Sequence, residues 1–348
     1  IMPSVTEIKK ELDKIQTGYG MMSLTWKAEP VPREIGFEAI HKVITLAQEG
    51  GYKAFLNVGE FYGPDCINLV YLKEFFEKHP ELRQHALISC KGAINGATLV
   101  PEGSYDQVVG SVRRSVDAFG GHIEMFEVAR LDKSLCKEGE VYPYESFKAL
   151  AAMIDEGLID GISLSEVTEE EIRAIAKDWG QYLTCVEVEL SMFSTQILEN
   201  GVAKANNDLG LVTICYSPLG RGLLTGQIKS LSDIPKGDFR GALERFHGDS
   251  LRQNLKLVQF LDEEIIDKRD AANKASLAQI ALGWIKRWSF STEYPKGKFI
   301  PIPSGSKVSR VNENFDEAKA QVTEEEFTKI NTFLKTFTTA GDRYEMHQ

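Results

Sequence analysis

The strongest constraint on the fold is a regular alternation of short apolar runs with segments whose apolar residues recur at helical spacing. Eight such units follow one another without a break in composition. Doubly wound sheets use about five or six units, whereas eight units close into a (β/α)8 barrel with its active site at the C-terminal strand ends. The sequence therefore predicts one α/β barrel. The predicted strands cover residues 18–22, 53–57, 86–91, 123–129, 161–164, 183–190, 211–216 and 299–302.

The predicted boundaries leave an exposed N-terminal lead-in over residues 1–16, the barrel over 17–336 and a C-terminal tail over 337–348. A long loop at 219–251 interrupts the rhythm after the seventh strand, and extra helices follow the eighth. Pro301 predicts a short or irregular last strand, because proline cannot donate a ladder hydrogen bond. Helices are predicted at 32–49, 67–78, 105–118, 144–156, after Thr168, and at 194–206, 250–268, 276–288, 307–318 and 324–335.

Composition and charge exclude several classes of partner. The 348 residues are 43% apolar and carry a net charge of −11, which disfavours nucleic acid and anionic membranes. The five cysteines show no metal-ligand spacing and predict reduced thiols rather than a metal site. No apolar run approaches the length of about 18 residues that a membrane span needs, and the N-terminus lacks a signal-peptide pattern. We expect a cytoplasmic protein, with the nucleus as a second compartment, and see no obligate protein partner.

Two strand ends carry residues suited to reducing a carbonyl group. The second strand ends at Asn57 and leads through a glycine-containing turn to Tyr62, and the third ends at Lys91. A nearby ammonium stabilises phenolate, so this pair could act as a general acid. Each residue also has a simpler interpretation, since a loop tyrosine is most often a packing residue and a strand-end lysine is usually solvated.

An ordered set of motifs resembles the aldo-keto reductase superfamily over about residues 18–334. The details NVGEFYG and SLSE are similar to its fungal pyridoxal reductase branch. The resemblance implies a pyridoxine 4-dehydrogenase type of enzyme, which reduces pyridoxal to pyridoxine by transferring hydride from the nicotinamide C4 of NADPH. The motifs are Asn57-x4-Tyr62-Gly63, Lys91-Gly92, Gly161-Ile-Ser-Leu-Ser165, Tyr216-Ser-Pro-Leu-Gly220, Pro301-Ile-Pro-Ser-Gly305 and Arg310-x2-Glu313-Asn314.

The resemblance implies that Tyr62 is the proton donor and that Lys91 tunes it. Asn57 stands where the family usually has an aspartate that pairs with the lysine. An amide adds no negative charge, so we expect Lys91 to be less neutralised and the pKa of Tyr62 to be lower.

A second departure from the family concerns substrate orientation. Ala129 stands where a histidine usually precedes Arg130, which removes one donor to the carbonyl oxygen. Orientation would then come from Arg130, from Trp26 or from the polar groups of the substrate. Trp26 and Phe61 are candidate walls of the substrate pocket.

The resemblance also implies an NADPH site. Glu166 and Glu187 stand where the family uses amides, and Glu166 equally fits a solvated acid in the first turn of a helix. The implied contacts are Tyr216 with nicotinamide; Ser165, Glu166 and Glu187 with the carboxamide; Ser217, Leu219 and Arg221 with pyrophosphate; Gly305 and Ser306 with phosphate; Lys307 and Arg310 with the 2′-phosphate; and Glu313 and Asn314 with adenine.

Three other functions remain open at this point. The enzyme could reduce other small or aromatic aldehydes. The departures at Asn57 and Ala129 also permit a low-turnover NADPH-binding redox sensor or partner subunit. A barrel that binds no nucleotide, such as a phosphosugar isomerase, is disfavoured by the motif over residues 301–314.

Overall fold

The structure is a computed structural model that describes residues 4–344. Eight parallel strands pair in sequence order, from β1 to β8. The ring is closed by backbone N–H groups of Gly18 and Gly20, which donate to the carbonyl oxygens of Pro301 and Pro303 at 2.9 and 3.1 Å. This confirms the predicted (β/α)8 barrel. The strands are β1 Tyr19–Gly20, β2 Ala54–Gly59, β3 Ala86–Gly92, β4 Ile123–Val128, β5 Ile159–Ser165, β6 Leu183–Glu189, β7 Val212–Tyr216 and β8 Phe299–Pro301.

Helices follow the strands as the apolar spacing predicts, and capping residues mark several of their starts. The Ser104 and Gln107 side chains form a closed capping box, as do Thr168 and Glu171. The helices are α1 Val5–Lys14, α2 Met22–Thr25, α3 Arg33–Glu49, α4 Ile67–Lys78, α5 Tyr105–Phe119, α6 Tyr144–Asp155, α7 Glu169–Trp179, α8 Val202–Leu209, α9 Gly248–Leu261, α10 Leu277–Arg287, α11 Val308–Asn314 and α12 Glu324–Thr336.

The N-terminal segment differs from the prediction of an exposed lead-in. It forms α1, in which Ile8 and Leu12 are fully buried, and Ile15 is buried just beyond it. Residues four apart in a helix share one face, so these side chains form an apolar stripe that packs against the barrel. The lysines that suggested exposure lie on the remaining faces.

The predicted helix at 194–206 is divided in two. A short 3-10 turn covers Gln196–Leu198, and α8 begins only at Val202. Gly201 separates them with a φ of +88°, a left-handed conformation that a glycine adopts without steric cost. The first strand is also shorter than predicted, because α2 starts at Met22.

The loop after β7 and the last strand match their predictions. Residues between β7 and α9 form only short 3-10 segments, and β8 is three residues long and ends at Pro301. The C-terminal segment returns to this loop region, where Nε of Arg245 donates to the carbonyl of Gly341 at 3.1 Å. Over residues 4–344, no helix has the length and apolar character that crossing a bilayer requires.

Candidate active site

Polar side chains from six neighbouring strands meet at the C-terminal end of the barrel. The ladders pair Gly59 with Lys91 and Lys91 with Glu127. Farther round the barrel, Ser165 pairs with Glu187. Because all the strands are parallel, residues at their carboxyl ends lie at one end of the barrel. The predicted side chains Asn57, Lys91, Ser165, Glu187 and Tyr216 are therefore brought together.

Lys91 lies at the centre of this group and faces two glutamates. Its Nζ atom is 2.7 Å from a carboxylate oxygen of Glu187 and 3.8 Å from one of Glu127. The side chain of Asn57 also acts to lower the pKa of Glu187. The expectation of a less neutralised Lys91 is therefore wrong, because Glu187 on β6 supplies the negative charge that Asn57 on β2 lacks.

Tyr62 is buried beside Lys91 and lies within hydrogen-bonding reach of it. Burial raises the pKa of Tyr62 above its usual value, and the Lys91 ammonium offsets only part of that rise. The expected lowering of the Tyr62 pKa is thus wrong. Burial alone would lower the pKa of Lys91, but Glu187 and Tyr62 raise it well above its usual value, so the ammonium stays charged.

Glu127 and Glu187 form a pair of buried carboxyl groups within hydrogen-bonding reach of each other. Burial, followed by the charge of Glu187, raises the pKa of Glu127 well above its usual value. Burial also acts to raise the pKa of Glu187, but Lys91 and hydrogen bonds bring it below the usual value. Two close carboxyl groups disfavour each other's ionisation, and the ammonium of Lys91 favours the anion at Glu187.

An aromatic wall stands next to the Tyr62 phenol. The rings of Trp26 and Tyr62 stack with their centroids 5.7 Å apart, and Phe61 meets both rings edge-on at 5.6 and 5.0 Å. Trp26 is 41% exposed, so this wall faces solvent. Ala129 is buried at the end of β4, and the Arg130 that follows it is exposed.

The Tyr216 hydroxyl bonds both to Glu166 and to Arg343 of the C-terminal segment. It donates to Glu166, and it accepts a hydrogen bond from Nη2 of Arg343 at 2.8 Å. The same guanidinium lies 3.4 Å from Glu166 and donates from Nε to Glu189 at 2.7 Å. Glu166 is thus an ion-paired residue of the site, and the alternative of a solvated helix acid is wrong.

Arg221 is tied to the same C-terminal segment. Its Nη2 atom lies 3.3 Å from Glu189, its Nη1 atom donates to the backbone carbonyl of Arg343, and the guanidinium lies 4.4 Å from the ring centroid of Tyr344. The described part of the predicted tail therefore packs against the site. The contact of Arg221 with pyrophosphate stays a prediction.

The remaining predicted cofactor residues lie after β7 and after β8. Arg310 forms an ion pair with Glu313 at 3.0 Å, whereas the exposed Lys307 has no ion-pair partner within residues 4–344. Ser165 Oγ and Asn314 Oδ1 are buried and have no hydrogen-bond partner in this part of the chain. The predicted residues after β7 are Ser217 and Leu219, and those after β8 are Gly305, Ser306, Lys307, Arg310, Glu313 and Asn314.

Comparison with known proteins agrees with this architecture. The family model described as "Aldo/keto reductase family" matches residues 16–335. The chain belongs to the aldo/keto reductase family. It is similar to the Saccharomyces cerevisiae protein named "Putative pyridoxal reductase", with 63% identity over 343 residues that cover 99% of each chain. It is 31% identical to "Probable pyridoxal reductase 2" of Schizosaccharomyces pombe over 94% of this chain and 93% of that one.

The crystal structure of a thermostable aldo-keto reductase in complex with epalrestat shares the fold of this aldo/keto reductase. The TM-score is 0.61 at 16% identity, over 91% of this chain and 94% of the other. Membership of the family makes the chain an oxidoreductase.

Three residues of this aldo/keto reductase site were missed by the sequence analysis: Glu127, Glu189 and Arg343. The two glutamates had a usable signal, because each lies in a predicted buried strand, where a carboxylate needs a cation or a proton. Arg343 had none, because it lies beyond the last predicted helix in a short segment without a periodic pattern.

Proposed function

We propose that this reductase uses NADPH to reduce pyridoxal to pyridoxine, with Tyr62 as the proton donor and Lys91 as its charged partner. The contact between Tyr62 and Lys91 beside the aromatic wall carries the proposal. The high identity to a yeast protein named for pyridoxal reduction supports this substrate.

The environment of Tyr62 suits a group that holds its proton until the substrate needs it. Burial keeps the phenol neutral at physiological pH, because the pKa of Tyr62 is raised. A carbonyl oxygen that gains negative charge during reduction would accept the phenolic proton. The ammonium of Lys91 would then stabilise the phenolate that is left behind.

The residues at the strand ends and after β8 fit the two ends of a dinucleotide. Ser165 Oγ and Asn314 Oδ1 are buried polar atoms without partners in residues 4–344, as expected of groups that bind a ligand. Lys307, together with Arg310, would hold the 2′-phosphate that distinguishes NADPH from NADH. When bound, the cofactor supplies the hydride that reduces the carbonyl carbon.

The two carboxylates at amide positions are compatible with such a cofactor because each is neutralised. Glu187 is paired with Lys91 and Glu166 with Arg343. Their oxygens remain acceptors for a carboxamide NH2 group without leaving unpaired charge in the site.

Trp26 and Phe61 would bind the aromatic ring of the substrate. Stacking or edge-on packing of a pyridine ring against such a wall buries apolar surface and orients the aldehyde. With Ala129 in place of the histidine, the orienting donors would be Arg130 and the polar groups of pyridoxal itself. In this proposal, the lack of a histidine side chain at Ala129 helps to determine the substrate specificity.

The test is NADPH oxidation by the purified protein, with pyridoxal and 4-nitrobenzaldehyde assayed in parallel. We expect turnover of pyridoxal in the wild type. Tyr62→Phe should lower kcat by about 10²-fold or more, while NADPH affinity measured by fluorescence quenching changes by less than about twofold. The matched control is Tyr52→Phe, a buried tyrosine that bonds to Glu317 at 2.9 Å on another side of the barrel.

Each other outcome points to a different function. Turnover of 4-nitrobenzaldehyde without pyridoxal would keep the reductase and replace the substrate. Tight NADPH binding without turnover of either aldehyde would support the redox-sensor or partner function. Near-normal activity of Tyr62→Phe would refute the role of the phenol as proton donor.

A further inference from the structure

We propose that Glu127 is a positioning residue that stores the proton with which Lys91 restores the Tyr62 phenol after each turnover. The inference rests on the proposed function, because it needs Tyr62 to give up a proton. It adds a role for a residue that neither the family motifs nor the sequence reasoning assigned.

The position of Glu127 is unusual for an acid. Its side chain is 1% exposed, and it points into the barrel from β4 towards the ammonium of Lys91 at 3.8 Å. Oε1 of Glu127 has no hydrogen-bond partner within residues 4–344. The other glutamate of β4, Glu124, faces the opposite side of the sheet and is satisfied by two short bonds to Arg83. Within residues 4–344, the ion pair of Glu127 is therefore the long contact with Lys91, whose ammonium is already paired with Glu187 at 2.7 Å.

The groups around Glu127 form a continuous chain from a stored proton to the phenol. Glu127 reaches Glu187, Glu187 contacts Lys91 at 2.7 Å, and Lys91 reaches Tyr62. Each link joins groups that can donate and accept a proton. The charged and titratable groups that face Glu127 are Lys91 on β3, Glu187 and Cys185 on β6 and Tyr62 after β2, with the hydroxyl of Ser163 on β5.

Return of the proton takes two transfers between these groups. After Tyr62 has protonated the product oxygen, its phenolate takes a proton from Nζ of Lys91, so an N–H bond breaks and an O–H bond forms. The neutral amine then takes the proton held between Glu127 and Glu187. Both carboxyl groups are now anions facing a restored ammonium, and the pair regains one proton from solvent. No group is oxidised or reduced, and the charge is conserved in each transfer.

The raised pKa of Tyr62 gives the first transfer its direction. A buried phenolate is a strong base and takes a proton from the adjacent ammonium. Without a second donor, the neutral lysine amine would be left beside the ionised Glu187. Transfer of the stored proton to the amine restores the ammonium, so Glu187 again has a cation beside it.

The experiment uses Glu127→Gln in the full-length protein. Glutamine keeps the shape and hydrogen bonding of a protonated carboxyl group but cannot release a proton. We expect kcat for pyridoxal reduction to fall by about 10²-fold, with KM changed by less than about twofold. The solvent deuterium isotope effect on kcat should increase, because proton return becomes limiting. A structural role would not move this isotope effect.

A second readout does not depend on catalysis. Infrared difference spectra of the cofactor-free protein should show the carbonyl stretch of one buried protonated carboxyl group in the wild type and lose it in Glu127→Gln. Glu124→Gln, on the same strand but on the opposite face, is the control and should keep the band, the kcat and the isotope effect. Glu127→Asp retains an acid and should recover part of the kcat if the glutamine variant folds poorly.

The outcomes separate this inference from the proposed function. Unchanged kcat and isotope effect in Glu127→Gln, in an active enzyme, would overturn the proton-storage role and leave the proposed function standing. If the wild type reduces only 4-nitrobenzaldehyde, the substrate proposal fails, and the same comparison is made with that aldehyde. Absence of the carboxyl band from the wild type would overturn the inference whatever the activity.

Discussion

Removing the ammonium of Lys91 should destabilise the protein in a strongly pH-dependent way. Lys91→Met keeps most of the side-chain volume and leaves Glu187, which is 2% exposed, without the cation at 2.7 Å. Breaking a buried ion pair costs about 3–5 kcal/mol when one charge stays unpaired. Glu187 can avoid that cost by taking up a proton, which limits the loss.

The free energy of protonating Glu187 sets the largest loss of stability that we expect, and it follows from the ordinary ionisation of a glutamate. Protonating a carboxyl group of pKa about 4.3 costs about 3.7 kcal/mol at pH 7 and about 1 kcal/mol at pH 5. In the folded variant, the pKa of Glu187 would be higher than in the unfolded chain. The loss of stability is therefore present at pH values above the unfolded-state pKa, and it disappears as the pH falls towards that pKa. We therefore expect Lys91→Met to lose about 3–4 kcal/mol at pH 7 and about 1 kcal/mol at pH 5.

Urea denaturation followed by circular dichroism at the two pH values measures this difference. The double variant Lys91→Met/Glu187→Gln also removes the unpaired Glu187 carboxylate, so it should regain more than half of the loss at pH 7. An equal loss at both pH values would refute the reasoning, and so would a double variant as unstable as the single one. Either result would mean that Glu187 is not ionised beside Lys91.

Two further variants test other contacts by the same denaturation assay. Arg343→Met removes a charge-assisted bond to the buried carboxylate of Glu189 and should cost about 2 kcal/mol of stability. Its control, Arg252→Met, breaks an exposed ion pair and should cost less than about 0.5 kcal/mol. Equal losses would contradict the docking of the C-terminal segment. Gly283→Ala would place a Cβ atom 2.7 Å from the backbone of Gln321, just before α12, and should cost about 1–3 kcal/mol of stability. Its control, Gly180→Ala, meets no atom within 4 Å and should be within about 0.5 kcal/mol of wild type. A neutral Gly283→Ala would show that α10 and the backbone at Gln321 are not closely packed.

Much of the site could be placed from the sequence because strand ends in a barrel share one location. The positions of Asn57, Lys91, Ser165, Glu187 and Tyr216 at the C-terminal ends followed from eight apolar runs and the polar residue that closes each. The apolar and polar patterns that specify these runs are local, so they are visible without any tertiary contact. The roles of these residues in catalysis and cofactor binding stay predictions.

The errors of the sequence analysis concern charges rather than positions. The loss of an aspartate at Asn57 predicted a bare ammonium at Lys91, yet the compensating carboxylate belongs to Glu187, almost a hundred residues later in the chain. The lead-in segment was predicted as exposed because its lysines were considered before the spacing of Ile8 and Leu12. Both errors come from judging a residue by its neighbours in sequence.

The sequence by itself determined the barrel, the order of its strands and which residues lie at the C-terminal end of the strands, because periodicity and strand length are local properties. Only the tertiary structure decided which charges face one another: Glu127 meets Lys91 from the neighbouring strand, Glu187 meets it across the barrel interior, and Arg343 returns from the C-terminal segment to Glu189. The physical reason is that Coulomb and desolvation energies depend on distance and burial in space. Neither quantity can be obtained from separation along the chain.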